Sequence, residues 1–398
     1  MTSSAQQFRA YNGHALFSHG FRPFFLFGTV WAAVSVAIWL PMLSGQLVLP
    51  LSYAPVDWHA HELIFGYVPA VVAGFLLTAV PNWTGRLPVV GKPLAVLFAT
   101  WVAGRIAMLV SAVVGPAIVA IVDLAFLALL VAVMGREIVA GGNTRNIKVL
   151  AGVALLLVAN GLFHVEAAFA IGDRHGERLG VGATVLLLML IGGRIIPSFT
   201  RNWLARQVPG RMPVSFDRTD ALIMIASAGA LGSWIALPDA VITAWLSIIA
   251  MAMNVYRLSR WAGWRRIAEP LVLVLHVAFA FVPVGFGLLA LSILRPDLIA
   301  LTGALHGFTA GAIGMMTLAV MTRASLGHTG QPLVASWPIV AIYVGAFLAA
   351  VARIIAAFDV MRTPMLTLSV VAWIAAFAGF VIVYAPLLLR RRSGERVG

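Results

Sequence analysis

The sequence has no cysteine and very little charge. The first absence excludes several kinds of site, and the second excludes whole classes of protein. Without cysteine, the 398-residue chain forms no disulfide, Fe–S cluster or thiolate zinc site, so any metal needs histidine, methionine, carboxylate or backbone ligands. Asp, Glu, Lys and Arg make up 10% of the chain, against roughly a quarter in soluble domains. So little charge cannot cover a soluble surface, and the high apolar content excludes intrinsic disorder.

Long apolar segments dominate what is present. Hydrophobic residues make up 61% of the chain and the mean hydropathy is +0.98. Continuous apolar runs of about 17 to 25 residues match membrane-spanning helices, whereas the strands of a membrane barrel alternate over about ten residues. We therefore predict an all-α, polytopic membrane protein with twelve spans, at 21–43, 59–80, 93–114, 116–136, 147–171, 178–198, 219–237, 239–257, 269–294, 298–322, 335–357 and 364–388.

The basic residues predict how these spans are oriented. With both termini in the cytoplasm, 21 Lys and Arg residues fall at the inner face and 4 at the outer face, which is the positive-inside pattern. This pattern accounts for the net charge of +13 without a nucleic-acid partner. We expect one membrane domain over 1–398 with no cleaved signal peptide, a cytoplasmic N-terminal segment at 1–20 and a basic cytoplasmic tail at 389–398.

Charged residues within the spans need a partner or a function, because charge is costly in the bilayer. Arg105 and Asp123 flank the turn at 115–116, so antiparallel helices joined there bring them to similar depth. This placement predicts either a structural salt bridge or a cation that supports a cofactor or substrate anion. Arg353 lies near the outer end of span 11, where it either extends to the interface or holds a haem propionate.

Five histidines lie in or at the ends of spans, and imidazole is a common ligand for copper and haem iron. Four of them fall in the outer half of the membrane and one lies deeper; they are His59, His61, His164 and His306, and then His276. Each could be a hydrogen-bonded packing residue, but together they predict a metal or haem site. His59 and His61 face about 200° apart on a helix, and the next residue, Glu62, is placed to orient an imidazole.

A run of glycines surrounds one of these histidines in the string GALHGFTAGAIG. Gly303, Gly307, Gly311 and Gly314 follow helical spacing and are expected to share one face. Such a face serves either close helix packing or a flat macrocycle lying beside His306. The pattern leaves both interpretations open.

Five stretches of the sequence together resemble the NnrS family. They follow in order along nearly the whole chain: GFRPFFLFG (20–28), DWHAHELIFGYVPAVVAGFLLTAVPNWTGR (57–86), IGGRIIPSFTRNWL (191–204), LHVAFAFVPVG (275–285) and ALHGFTAGAIGMMTLAVMTRASLGHTG (304–330). The family often has Gly and Met where this chain has Ala60 and Leu63. The resemblance implies a bacterial inner-membrane protein with haem and copper, linked to nitric oxide stress and denitrification. It also implies that the family's motif histidines are His59, His61, His276, His306 and His328.

We hypothesise a haem- and copper-containing protein of the lipid bilayer that binds nitric oxide and reduces or scavenges it, as a nitric oxide reductase-like oxidoreductase would. Spans 2 and 10 place His61 or His59 at the depth of His306, which predicts an axial pair for haem b, since no cysteine can attach haem covalently. For copper the sequence favours His276, and then His164.

Other residues receive supporting roles, and two other functions stay open. Arg105 and Arg353 are candidate propionate partners, and Glu62 and Glu166 are candidate proton relays. Because we find no soluble electron-carrier domain, electrons would come from a separate donor or from quinol. The alternatives are a twelve-span secondary transporter, divided six and six by the basic loop at 199–218, and a haem-based sensor or metal-homeostasis protein without turnover.

Overall fold

The structure is a computed structural model, and it describes residue 11 and residues 13–143, 146–206, 210–266 and 269–391. The described residues form helices and connecting turns, with no strand among them. Twelve helices are long and apolar enough to cross a membrane: α1 Phe21–Leu43, α2 Pro55–Thr84, α3 Lys92–Leu109, α4 Pro116–Ala140, α5 Ile147–Ala168, α6 His175–Leu204, α7 Arg218–Ala236, α8 Val241–Ser259, α9 Pro270–Leu294, α10 Leu301–His328, α11 Trp337–Phe358 and α12 Arg362–Leu389.

These helices confirm the predicted all-α fold class and the predicted number of spans. The first helix has the predicted bounds, 21–43, whereas α2 extends several residues beyond the apolar run at 59–80 on both sides. Hydropathy detects only the apolar part of a helix. Polar residues that continue the backbone hydrogen bonding at its ends are therefore not predicted as helical. The orientation of the termini and the extent of the membrane domain stay predictions.

Local sequence signals explain where the helices begin and end. Pro116 and Pro270 stand in the first turn of their helices, where the missing N–H costs nothing. Asp217 caps α7: its carboxylate accepts from the N–H of Asp220, whose own carboxylate accepts from the N–H of Asp217. Gly85 follows α2 with a φ of +69°, the left-handed conformation that glycine adopts at helix ends.

Tertiary contacts group the helices into two compact units. Of the described residues, those within 1–180, 324–332 and 377–398 form the first unit, and those within 181–323 and 333–376 form the second. In the first unit α1 packs on α2, while α3 and α5 both pack on α4. In the second unit α8 packs on α7 and α9, and the middle of α10 packs on α9 and α11.

Helices α2 and α10 stand apart from the others in burial and in backbone geometry. In each, 72% of the most apolar stretch is buried, against 33% in α4, α7, α8 and α12. Each also contains a π-helical segment that begins immediately after a histidine. Glu62–Tyr67 follows His61 in α2, and Gly307–Gly314 follows His306 in α10. π-Segments inside α-helices occur frequently at functional sites.

The glycines of α10 do not form the single open face that helical spacing predicts. A Cβ on Gly303 would meet Ala357 of α11, and one on Gly314 would meet Trp373 of α12. Gly307 and Gly311 both face α9. The π-segment rotates successive residues by less than an α-helix does, which spreads the four positions over three neighbouring helices. These glycines serve close helix packing.

Candidate metal centre

A cluster of polar side chains lies inside the first unit, on three neighbouring helices. His61 of α2, Asp123 of α4 and His164 of α5 meet there, together with Asn160, which precedes His164 by one helical turn. The π-segment starts directly after His61, so the imidazole stands where the helical rotation changes. Each of these four residues is at most 5% exposed. We call them the His61 cluster.

The side chains of the His61 cluster converge on one carboxylate oxygen. Asp123 Oδ2 lies 3.2 Å from His61 Nε2 and 3.1 Å from His164 Nε2. The same oxygen accepts a hydrogen bond from Asn160 Nδ2 at 2.7 Å, while Asn160 Oδ1 lies 3.0 Å from His61 Nε2. Both imidazoles therefore direct Nε2 to a common point.

A second carboxylate and a guanidinium surround the cluster on one side. Glu62 Oε1 lies 3.0 Å from His61 Nδ1, and Glu62 Oε2 accepts from Trp31 Nε1 at 2.7 Å and from Arg105 at 2.6 Å. Arg105 also donates to Asp123 Oδ1, so one guanidinium bridges both carboxylates. This geometry confirms the predicted pairing of Arg105 with Asp123 and the predicted contact between Glu62 and an imidazole.

Tyr53, in the loop before α2, holds the other imidazole. Its hydroxyl lies 3.0 Å from His164 Nδ1. Burial, together with the negative charges of Asp123 and Glu62, raises the pKa of Tyr53 to about 12, so the hydroxyl keeps its proton at physiological pH. A neutral hydroxyl can donate to Nδ1 or accept from it, which lets it support either tautomer of His164.

The geometry of the His61 cluster fits a metal ion. His61, Asp123 and His164 each offer one ligand atom, and these atoms lie within 4.8 Å of one another. Ligand atoms about 2.0 Å from a tetrahedral ion are roughly 3.3 Å apart, close to the nitrogen–oxygen distances here. Within the described residues, no other group of three His, Asp or Glu side chains comes this close.

The contacts around the two imidazoles also fit those of metal ligands. Ligating histidines commonly bond their second ring nitrogen to a carboxylate or another polar group, which fixes the ring. Glu62 has that position at His61, and Tyr53 has it at His164. Imidazole nitrogens with one carboxylate oxygen suit copper, zinc or iron.

Comparison with known families identifies the chain. A family model described as "NnrS protein" matches residues 15–392, which is nearly the whole chain. The chain belongs to the NnrS family. A search of curated proteins found no match. The family match confirms the resemblance seen in the five motifs, and with the twelve apolar helices it indicates a multi-pass membrane protein.

Two other histidines assigned from the NnrS motifs, His59 and His328, lie in the first unit and contact aromatic rings. The ring of His59 stacks on Trp39 of α1, with centroids 4.2 Å apart, so it faces away from His61 as the 200° spacing predicted. The ring of His328 lies beside that of Phe21 in the first unit.

The second unit contains the remaining candidate residues of this NnrS protein. His276 Nε2 lies 3.0 Å from the hydroxyl of Thr200. His306 Nδ1 donates to the carbonyl of Thr302 at 2.5 Å. Arg353 is half-buried near the end of α11. Their assignment to haem or copper stays a prediction.

Sequence reasoning missed two residues of this NnrS site, Asn160 and Tyr53. Asn160 could have been found from its i, i+4 spacing to His164. Tyr53 gave no signal, because it contacts a residue 111 positions away. Glu166, a candidate proton relay, accepts from the backbone N–H groups of His175 and Gly176 at the start of α6.

Proposed function

We propose that this NnrS protein is a haem- and copper-containing membrane protein that binds and reduces nitric oxide at the bacterial inner membrane. The His61 cluster carries the proposal. It is a buried donor set of two imidazoles and a carboxylate, in a chain whose family resemblance implies copper. We assign the copper to His61, His164 and Asp123, and His276 is the alternative that the experiment below tests.

The residues around the cluster supply what such a centre needs from the protein. Bound copper would supply an open coordination position and a change of redox state. Glu62 contacts Nδ1 of His61 and Tyr53 contacts Nδ1 of His164, and these contacts fix the orientation of both imidazoles. Arg105 holds Asp123 in place and compensates its charge. Burial of all these groups excludes bulk water from the site.

The reaction and its partners follow from the chemistry of the substrate. Nitric oxide is small, neutral and membrane-permeable, so it reaches a buried site through the lipid bilayer. Reduction of two molecules, with two electrons and two protons, gives nitrous oxide and water. The electrons would come from a separate donor, for which we propose quinol, and Glu62 is the carboxylate placed to relay protons to the cluster.

Haem b is the second proposed cofactor, with His306 or His59 as a candidate ligand. The bond from His306 Nδ1 to a backbone carbonyl fixes the ring in the way that is typical of ligating histidines. Arg105 is bound to two carboxylates, so we assign the role of propionate partner to Arg353. The glycines of α10 give no support to haem, because they pack on neighbouring helices.

Backbone geometry gives little support to the transporter alternative. Six-plus-six transporters carry broken helices at equivalent positions of their halves. Here the irregular segments lie in α2 and α10, which are not equivalent in two six-helix halves, and both helices continue through them.

The decisive experiment is metal analysis of the purified full-length protein and single variants. His61→Ala and His164→Ala should each lose most of the copper, whereas His276→Ala should keep it. His175→Ala is the matched control, because that histidine contacts Glu166 at the start of α6 and not the cluster. Copper lost only in His276→Ala would move the site to His276. A wild type without metal would favour transport.

Spectra and turnover test the rest of the proposal. The wild type should show a b-type Soret band that His306→Ala or His59→Ala removes or shifts. Membranes supplied with a quinol should consume nitric oxide, and His61→Ala membranes should do so more slowly at equal protein content. Haem and copper without nitric oxide consumption would favour a sensor or a metal-homeostasis protein.

A further inference from the structure

Glu62, Asp123 and Arg105, which are joined by ion pairs at the His61 cluster, together carry one net negative charge. Within the described part of the chain, Arg105 supplies the guanidinium that pairs with both carboxylates, Glu62 and Asp123. All three side chains are at most 5% exposed. A histidine nitrogen that ligates a metal carries no proton, so both imidazoles count as neutral when an ion is bound. The protein groups around the ion then sum to one negative charge.

We infer that the charge at the His61 cluster favours a monovalent metal ion, Cu(I), over a divalent one, and that Arg105 sets this preference. The inference rests on the metal site proposed above. A monovalent ion brings the buried site to zero net charge, whereas a divalent ion leaves one positive charge without a partner. Net charge in a poorly polarisable interior is unfavourable, so charge neutrality favours the lower valence.

Arg105 acts on this choice through charge and not through coordination. Its guanidinium donates to Glu62 Oε2 and to Asp123 Oδ1, whereas the imidazoles approach Asp123 at Oδ2. Arg105 therefore contacts the Asp123 oxygen that the imidazoles do not. Removal of its charge, with the ligand side chains retained, would change the site from one negative charge to two, which a divalent ion matches.

The test compares Cu(I) with Zn(II) in the purified full-length protein. Both ions are d¹⁰ and have no ligand-field preference, so a change in their affinity ratio reports charge. Affinities are measured anaerobically against competing chelators for the wild type and four variants: Arg105→Gln, Arg105→Lys, Glu62→Gln and Glu166→Gln. Loss of binding in His61→Ala locates each ion at the cluster.

The expected changes follow from the charge that each variant leaves. Arg105→Gln should shift the affinity ratio toward Zn(II) by on the order of 10-fold, and Glu62→Gln should shift it toward Cu(I) by a similar factor. Arg105→Lys keeps the charge and should keep the ratio. Glu166→Gln removes a carboxylate outside the cluster, two residues beyond His164, and should also keep it.

The outcomes distinguish a failure of the valence inference from a failure of the proposed metal site. If the wild type binds an ion that His61→Ala loses, but all variants keep the wild-type ratio, the valence inference is wrong and the metal site stands. If neither ion depends on His61, the proposed site and the inference fall together. If Arg105→Gln does not fold, Glu62→Gln still decides, because it retains the bond between Arg105 and Asp123.

Discussion

At the scale of single residues, Asp123 is the group on which the His61 cluster depends. Its carboxylate contacts both imidazoles, Asn160 and Arg105. Asp123→Asn changes few atoms but removes the charge that faces a buried guanidinium. We expect a loss of about 3–5 kcal/mol in the free energy of unfolding, the usual cost of removing one partner of a buried ion pair. Denaturant unfolding of the purified protein measures it.

The control for this prediction is an exposed ion pair in the same unit. Asp57 and Arg174 are joined at 2.5 Å, but their side chains are 34% and 53% exposed. Asp57→Asn should therefore cost only about 0–1 kcal/mol. Equal losses in the two variants would show that burial does not set the strength of the Asp123 contacts.

At the scale of one helix, the π-segment of α2 brings its backbone close to Arg105. A Cβ on Gly66 would lie 2.5 Å from Arg105 Nη1 and 3.1 Å from Glu62 Oε2. Gly66→Ala should therefore displace the guanidinium and cost about 1–3 kcal/mol through overpacking. Thermal unfolding followed by circular dichroism measures the loss.

Gly161 of α5 provides the matched control, since a Cβ there meets no atom within 4 Å. Gly161→Ala should leave stability unchanged or raise it by up to about 1 kcal/mol, because alanine favours the helix. A stable Gly66→Ala protein with wild-type unfolding would count against close packing at the π-segment.

The N-terminus of α7 predicts a pH dependence. A hydrogen bond from Arg260 is the main reason that the pKa of Asp217 falls to about 2, below its ordinary value near 3.9. A depressed folded-state pKa gives stability that is full above the unfolded-state pKa and is lost as the pH falls through the folded-state pKa. The difference in Tm between wild type and Asp217→Asn should thus be constant from pH 7 to 5 and shrink between about pH 4 and 2.

The measurement is a pair of Tm series in detergent at fixed ionic strength. A difference that stays constant down to pH 2 would falsify the assigned role of the Asp217 carboxylate.

At the scale of the whole molecule, the distribution of charge predicts the topology. With 21 Lys and Arg residues on one side and 4 on the other, reporter fusions after about residues 48 and 175 should report the periplasm. Fusions after about residues 88, 210 and 398 should report the cytoplasm. A periplasmic reporter at residue 398 would be incompatible with this orientation.

The sequence alone determined the helices and part of the buried cluster. Twelve apolar runs are long enough to span a bilayer, and each helix satisfies its own backbone hydrogen bonds, so the signal is contained in each segment. The turn at Gly115 and Pro116 joins two consecutive helices, so the sequence also placed Arg105 beside Asp123. Adjacency in the chain also placed Glu62 at the imidazole of His61.

Only the tertiary structure decided which helices surround those groups. His164 reaches Asp123 across 41 positions, and Tyr53 reaches His164 across 111. No local period encodes such pairs, because they depend on how side chains of different helices pack together. The π-segment after His306 likewise distributed the glycines among three neighbours. Hydropathy places each helix in the lipid separately, whereas the site exists only where packing brings α2, α4 and α5 together.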